Sequence, residues 1–259
     1  MSVPAVQSTP VPPASALPED LVLPPSEPYS DEPPLESSLH LQQLLLLLKC
    51  LDWLWKDRND YFTAGNLTIY YSPHQRKSED FRGPDLFVVL GAEKRPRNSW
   101  VVWHEGGLYP HAIIELLSDS TAKTDRGLKK DIYQDIFRTP DYFWFHPHTL
   151  EFEGFHLADG TYQPIPVNEQ GWRWSQQLQL YLGVYENQLR FFTAEGVLVP
   201  TPEESAAAER QRADAEYQRA EAERQRAEAE RQQTEAERQR NERLAARLRE
   251  LGVNPDDVL

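Results

Sequence analysis

Residues 36–58 set Leu41, Leu44, Leu45, Leu48, Leu51 and Trp55 three or four positions apart. That is the period of a helix with one apolar face. The run 44–48 is all leucine, but Lys49 and Asp52 end the stretch far short of the ~20 residues a membrane span needs. A core helix is therefore expected. Residues 66–72 read as a strand after a Gly65-Asn66 turn. Two apolar runs, 84–90 and 112–117, read as strands buried on both faces, the pattern of parallel pairing under helices. At about 100° per residue, Leu128, Ile132, Tyr133, Ile136 and Phe137 form a single stripe, which predicts a helix over 128–137. Short strands then follow at 141–145, 150–157, 161–165, 178–180, 188–192 and 197–199. Trp172 and Trp174 are expected to cover their sheet edge.

From about Ser205 the chain becomes a seven-residue repeat of Ala, Glu, Gln and Arg, without Gly or Pro, running through Arg243. These residues favour helix, and Glu and Arg three or four apart support it locally. The best seam joins Ala215, Ala222, Ala229 and Ala236 to Gln218, Gln225, Gln232 and Gln239. It offers little apolar area, so a long exposed helix with weak self-association is expected over 203–252, closed by Leu244, Leu248, Leu251 and Gly252, with 253–259 as a tail. Residues 1–35 are rich in Pro, Ser and acids, which predicts a disordered arm and not a targeting segment. The intervening 36–202 form one domain.

The net charge of -14 argues against a general polyanion binder. Its distribution softens that conclusion. The first 36 residues hold six acids and no base, and the segment from 203 holds 15 acids and 11 Arg, leaving 20 acids against 16 bases between them. Lys123, Arg126, Lys129 and Lys130 cluster in that middle part. The single Cys50 excludes an internal disulfide and suits a reducing, cytoplasmic compartment.

Three residues stand where packing alone does not put them. Glu115 interrupts an apolar strand, where an unpaired polar group costs on the order of 2–7 kcal/mol. Asp85 follows Pro84 at a strand start. Lys129 falls within the apolar stripe of its helix, with Asp125 projecting one turn earlier, so its ammonium needs a destination. Two carboxylates at strand ends suit a hard divalent cation, which takes carboxylate, water and phosphate oxygens. His104-Glu105 has no second His one helical turn away, and no phosphate-binding glycine motif occurs.

Pro84-Asp85, Glu115-Leu116-Leu117-Ser118, Asp125-Arg126, Lys129 and Tyr133, with Asp141-Tyr142-Phe143-Trp144 beyond, resemble the Uma-two family of restriction endonucleases, abundant in cyanobacteria, within the PD-(D/E)XK nuclease superfamily. The resemblance covers roughly residues 40–200 and implies an α/β fold: a restriction-endonuclease-like mixed central sheet flanked by helices, here with a long C-terminal helix added. It implies Asp85, Glu115 and the Leu116 carbonyl as ligands of Mg²⁺, with Mn²⁺ able to substitute, and Lys129 as a catalytic residue that orients the nucleophile or stabilises charge developing on the phosphate. Asp125 and Tyr133 would orient these groups. Glu36 and Lys123 are further candidates. Leu117 departs from the superfamily pattern, which has a Lys two residues after the acid; Lys129 on the next helix takes that place. The expected activity is Mg²⁺-dependent hydrolysis of DNA. The other reading is a non-catalytic protein of this fold, serving as an assembly or nucleic-acid-binding module through its helical tail.

Overall fold

The computed structural model describes residues 37–72, 83–118 and 125–252. Helix α1 (Ser38–Leu54) begins at Ser37, whose side chain accepts from the His40 amide and so satisfies a free first-turn donor. Its apolar stripe lies over a six-stranded mixed sheet made of β1 (Tyr61–Gly65), β3 (Leu86–Leu90), β5 (Ala112–Leu116), β6 (Asp141–Phe145), β7 (Phe152–Ala158) and β8 (Thr161–Pro164), in that spatial order. All neighbours are antiparallel except β5 and β6. A parallel pair needs a crossover, and residues 117–140 supply it.

The alternation of β3 and β5 splits the core in two. Leu86, Val88, Ile114 and Leu116 pack with Leu44, Leu47 and Leu51 of α1, and with Leu182, Leu189 and Phe191. Phe87, Val89 and Ile113 pack instead with Ile132, Tyr133 and Phe137 of the crossover. The strands are thus buried on both faces as the sequence predicts, but β5 is parallel on one side only.

Three smaller strands, β9 (Arg173–Ser175), β10 (Leu180–Tyr185) and β11 (Gln188–Phe192), form an antiparallel sheet. Gln43 on α1 fastens β11: its amide donates to the Leu189 carbonyl at 2.9 Å and accepts from the Leu189 N–H at 3.0 Å. Buried Asp141 joins the two sheets, meeting His156 Nδ1 at 2.7 Å and accepting from Ser175 Oγ at 2.6 Å and the Gln177 amide at 2.9 Å. Trp172 stacks on Phe192 at 3.7 Å and lies over Gly183, where a Cβ would meet its ring at 2.0 Å.

Several expectations are corrected. The strand expected over 66–72 is only β2 (Ile69–Tyr70), paired in parallel with β4 (Trp100–Val101). The sheet strand precedes it, and Asn66, at φ 48°, turns the chain out of β1. Residues 197–199 make a single bridge instead of a strand, and 178–180 only leads into β10. The 128–137 helix is wound as two π turns, Asp125–Lys129 and Ile132–Ile136, with Phe137 N–H donating to the Ile132 carbonyl five residues back. Wider winding turns each residue through less than 100°. Ile132, Tyr133 and Phe137 stay buried, while Leu128 and Ile136 swing out to 61% and 45% exposure.

Among the described residues, 37–201 form one compact unit and α2 (Pro202–Glu250) belongs to a second. No helix among the described residues is long and apolar enough to cross a membrane. The N-terminal arm and the 253–259 tail lie outside the described residues.

Candidate active site

The ladder between β3 and β5 runs from Leu86↔Ile114 to Val88↔Ala112, which sets Asp85 opposite Glu115 one step past its end. There two backbone donors turn to side chains. The Asp85 N–H donates to Glu115 Oε2 at 3.2 Å, and the Leu116 N–H donates to Asp85 Oδ2 at 2.7 Å. Buried backbone donors need partners, so this exchange fixes both carboxylates where the strands end.

Elements on both faces complete the cluster. From the crossover, Lys129 Nζ lies 3.1 Å from Glu115 Oε1 and 3.2 Å from Oε2. One turn later the Tyr133 hydroxyl donates to Oε1 at 2.5 Å. Glu115 is wholly buried, so this shell replaces the water its carboxylate has lost. From α1, His40 Nε2 stands 3.0 Å from Asp85 Oδ1. Burial pushes the Asp85 carboxyl up, but the His40 hydrogen bond and the Lys129 charge pull harder, and the net result lies below the usual carboxylate range.

The structure therefore brings together Asp85, Glu115, Lys129 and Tyr133, from two strands and the crossover. Leu116 enters through its amide. Leu117, at the position where the superfamily has its Lys, is buried and its N–H donates to the Phe145 carbonyl. Glu36 and Lys123 lie outside the described residues, and the Asp125 side chain is likewise not described. Lys130, next to Lys129, turns aside: its ammonium sits 3.6 Å above the Phe155 ring.

His40 is the contributor that sequence reasoning passed over. Its signal was the one that exposed Lys129: it is a polar residue in register with Leu44, Leu47 and Leu51 on the buried face of a helix. Glu105 is not part of the cluster; it pairs with Arg97 at 2.7 Å and Arg95 at 2.8 Å. Among the described residues, no group of three or more His, Cys, Asp or Glu side chains is arranged to hold a metal. The acid pair nonetheless fits a hard cation in kind, because such ions take one or two carboxylates and fill the remaining positions with water and substrate oxygen.

A family model described as "Uma2: Putative restriction endonuclease" matches residues 29–190. No curated protein matches the chain. Among solved structures, the chain is similar to a putative nuclease belonging to DUF820 from Anabaena variabilis, with 13% identity and a TM-score of 0.41, covering 56% of this chain and 76% of that one.

Proposed function

Since the chain belongs to the Uma2 family of putative restriction endonucleases, we propose that it is a Mg²⁺-dependent endonuclease hydrolysing DNA phosphodiester bonds. The observation that carries this reading is the meeting of Asp85, Glu115 and Lys129 around one point at the end of β3 and β5. Asp85 and Glu115, with the Leu116 carbonyl, would hold Mg²⁺ or Mn²⁺. Such an ion polarises a phosphoryl oxygen and lowers the pKa of bound water.

The remaining roles belong to the chain itself. Lys129 orients the attacking water or offsets charge developing on the phosphate. Tyr133 fixes the Glu115 carboxylate by its hydroxyl hydrogen bond, and His40 does the same for Asp85. Asp125 is proposed to orient Lys129 from the preceding turn. The partners are DNA and, through α2, a second copy of the chain; the compartment is the cytoplasm.

The other reading is a non-catalytic protein of the same fold, and the buried Leu117 in place of a lysine favours it. Nicking of supercoiled plasmid separates the two. Wild type should nick with Mg²⁺ or Mn²⁺ and stop with chelator, while Asp85→Ala and Lys129→Met should not nick. Equal cleavage by all three proteins assigns the activity to a contaminant. An inert but folded wild type leaves the non-catalytic reading.

A further inference from the structure

Helix α2 is 49 residues long, about 73 Å at ~1.5 Å per residue, with no buried residue. With Ala208, Ala215, Ala222, Ala229 and Ala236 at one core position and Gln211, Gln218, Gln225, Gln232 and Gln239 at the other, the flanking positions follow from the heptad. The position before each Ala is Asp214, Glu221, Glu228 and Glu235, all acidic after the first repeat. The position after each Gln is Arg212, Arg219, Arg226, Gln233 and Arg240.

We propose that α2 pairs with the α2 of a second copy as a parallel, in-register two-stranded coil. In a parallel pair each flanking residue before the core Ala faces the flanking residue five positions later on the other strand. That sets Asp214 against Arg219, Glu221 against Arg226 and Glu235 against Arg240, each twice by symmetry, with Glu228 against the neutral Gln233. An antiparallel pair instead sets acid against acid on one side and, Gln233 apart, Arg against Arg on the other. The core is too poor in apolar area to choose an orientation, so the charges choose it. Within each strand the core Gln side chains brace these acids: Gln225 donates to Glu221 at 3.4 Å and Gln239 to Glu235 at 3.1 Å. Alanine keeps the two backbones close enough for the flanking charges to meet. Both copies then attach their residues 37–201 at the same end of the pair. The inference stands whether or not that unit cleaves DNA.

Disulfide trapping in the full-length protein tests it, with buried Cys50 as a silent background. Ala215→Cys and Ala236→Cys should each form a covalent dimer with itself under mild oxidation, and differently tagged Ala215→Cys and Ala236→Cys chains should not cross-link to each other. Adding Glu221→Arg and Glu235→Arg to Ala215→Cys should lower dimer yield by roughly tenfold or more through like-charge contact. Mixing that chain with Ala215→Cys carrying Arg226→Glu and Arg240→Glu should restore a mixed dimer. Cross-linking between positions 215 and 236 means an antiparallel pair and overturns the proposal. So does yield that ignores the charge reversals, or a wild type that sediments as a monomer at high micromolar concentration.

Discussion

Replacing Lys129 by Met keeps the length of the side chain and removes the ammonium that stands 3.1 and 3.2 Å from the two Glu115 oxygens. Glu115 has no exposed surface, so its charge is stranded in the core with the Tyr133 hydroxyl and the Asp85 amide still bound. Breaking a buried pair from one side costs about 3–5 kcal/mol. The retained hydrogen bonds lower the figure, and about 2–4 kcal/mol is expected at neutral pH. With a urea slope of about 2 kcal/mol per molar, the unfolding midpoint falls by about 1–2 M. Tryptophan fluorescence is the right probe, since all seven Trp lie between 53 and 174 and none in α2, whose separate melting would blur circular dichroism. Adding Glu115→Gln should recover at least half the loss, because the charge that needed Lys129 is gone. The Lys129→Met deficit should also shrink as pH falls toward about 4.3, where the carboxyl protonates in the unfolded chain as well. A deficit under about 0.5 kcal/mol, or losses that simply add in the double variant, refutes a Lys129–Glu115 pair in the core.

Two further outcomes follow from the same geometry. The folded-state Asp85 carboxyl lies below its ordinary value of 3.8, so its ionised form stabilises the fold above that pH and the contribution is lost as pH falls through the lower folded value. Wild type should therefore outlast Asp85→Asn in urea from neutral down to about pH 5, and the margin should close below about pH 4; a margin that widens below about pH 4 would show the sign to be wrong. Gly183→Ala puts a methyl 2.0 Å from the Trp172 ring, so it should destabilise by about 1–3 kcal/mol and shift the tryptophan emission as Trp172 leaves Phe192; unchanged emission and midpoint would mean that Trp172 is not seated there.

The residues legible in sequence were those that broke a packing pattern. Glu115 in an apolar strand and Lys129 in an apolar stripe each demanded a partner, and the fold makes them partners of one another. His40 broke its pattern in the same way, yet it sits in the first turn of α1, where the chain passes from polar to apolar residues, so one polar side chain gave no alarm. What stayed hidden depends on pairing between distant segments. Strand β1 is five residues of mixed character whose burial comes from β3 on one side and α1 on the other, information that no local window holds. The π winding of 125–136 is equally silent, because an extra residue per turn leaves composition unchanged and only rotates Leu128 and Ile136 outward. Periodicity read at 100° per residue named Ile132, Tyr133 and Phe137 for the core rightly, and Leu128 and Ile136 wrongly.

The charge of the whole chain and the charge of the site pull in different directions, and distance decides between them. In α2 the acids and arginines sit three or four residues apart and meet one another, as Glu235 and Glu242 do on Arg238, so their fields largely cancel beyond the Debye length of about 8 Å. At the site the Asp85 and Glu115 carboxylates face the Lys129 ammonium and the His40 imidazole, so with His40 neutral one negative charge is left over. A phosphate brought within about 4 Å of that uncompensated charge meets a repulsion of about 4 kcal/mol at an effective dielectric of ~20. The net charge of -14 is therefore a weak argument about DNA, whereas the single local excess is a strong one. On the proposed function a divalent cation held by Asp85 and Glu115 would offset that excess and admit the phosphodiester.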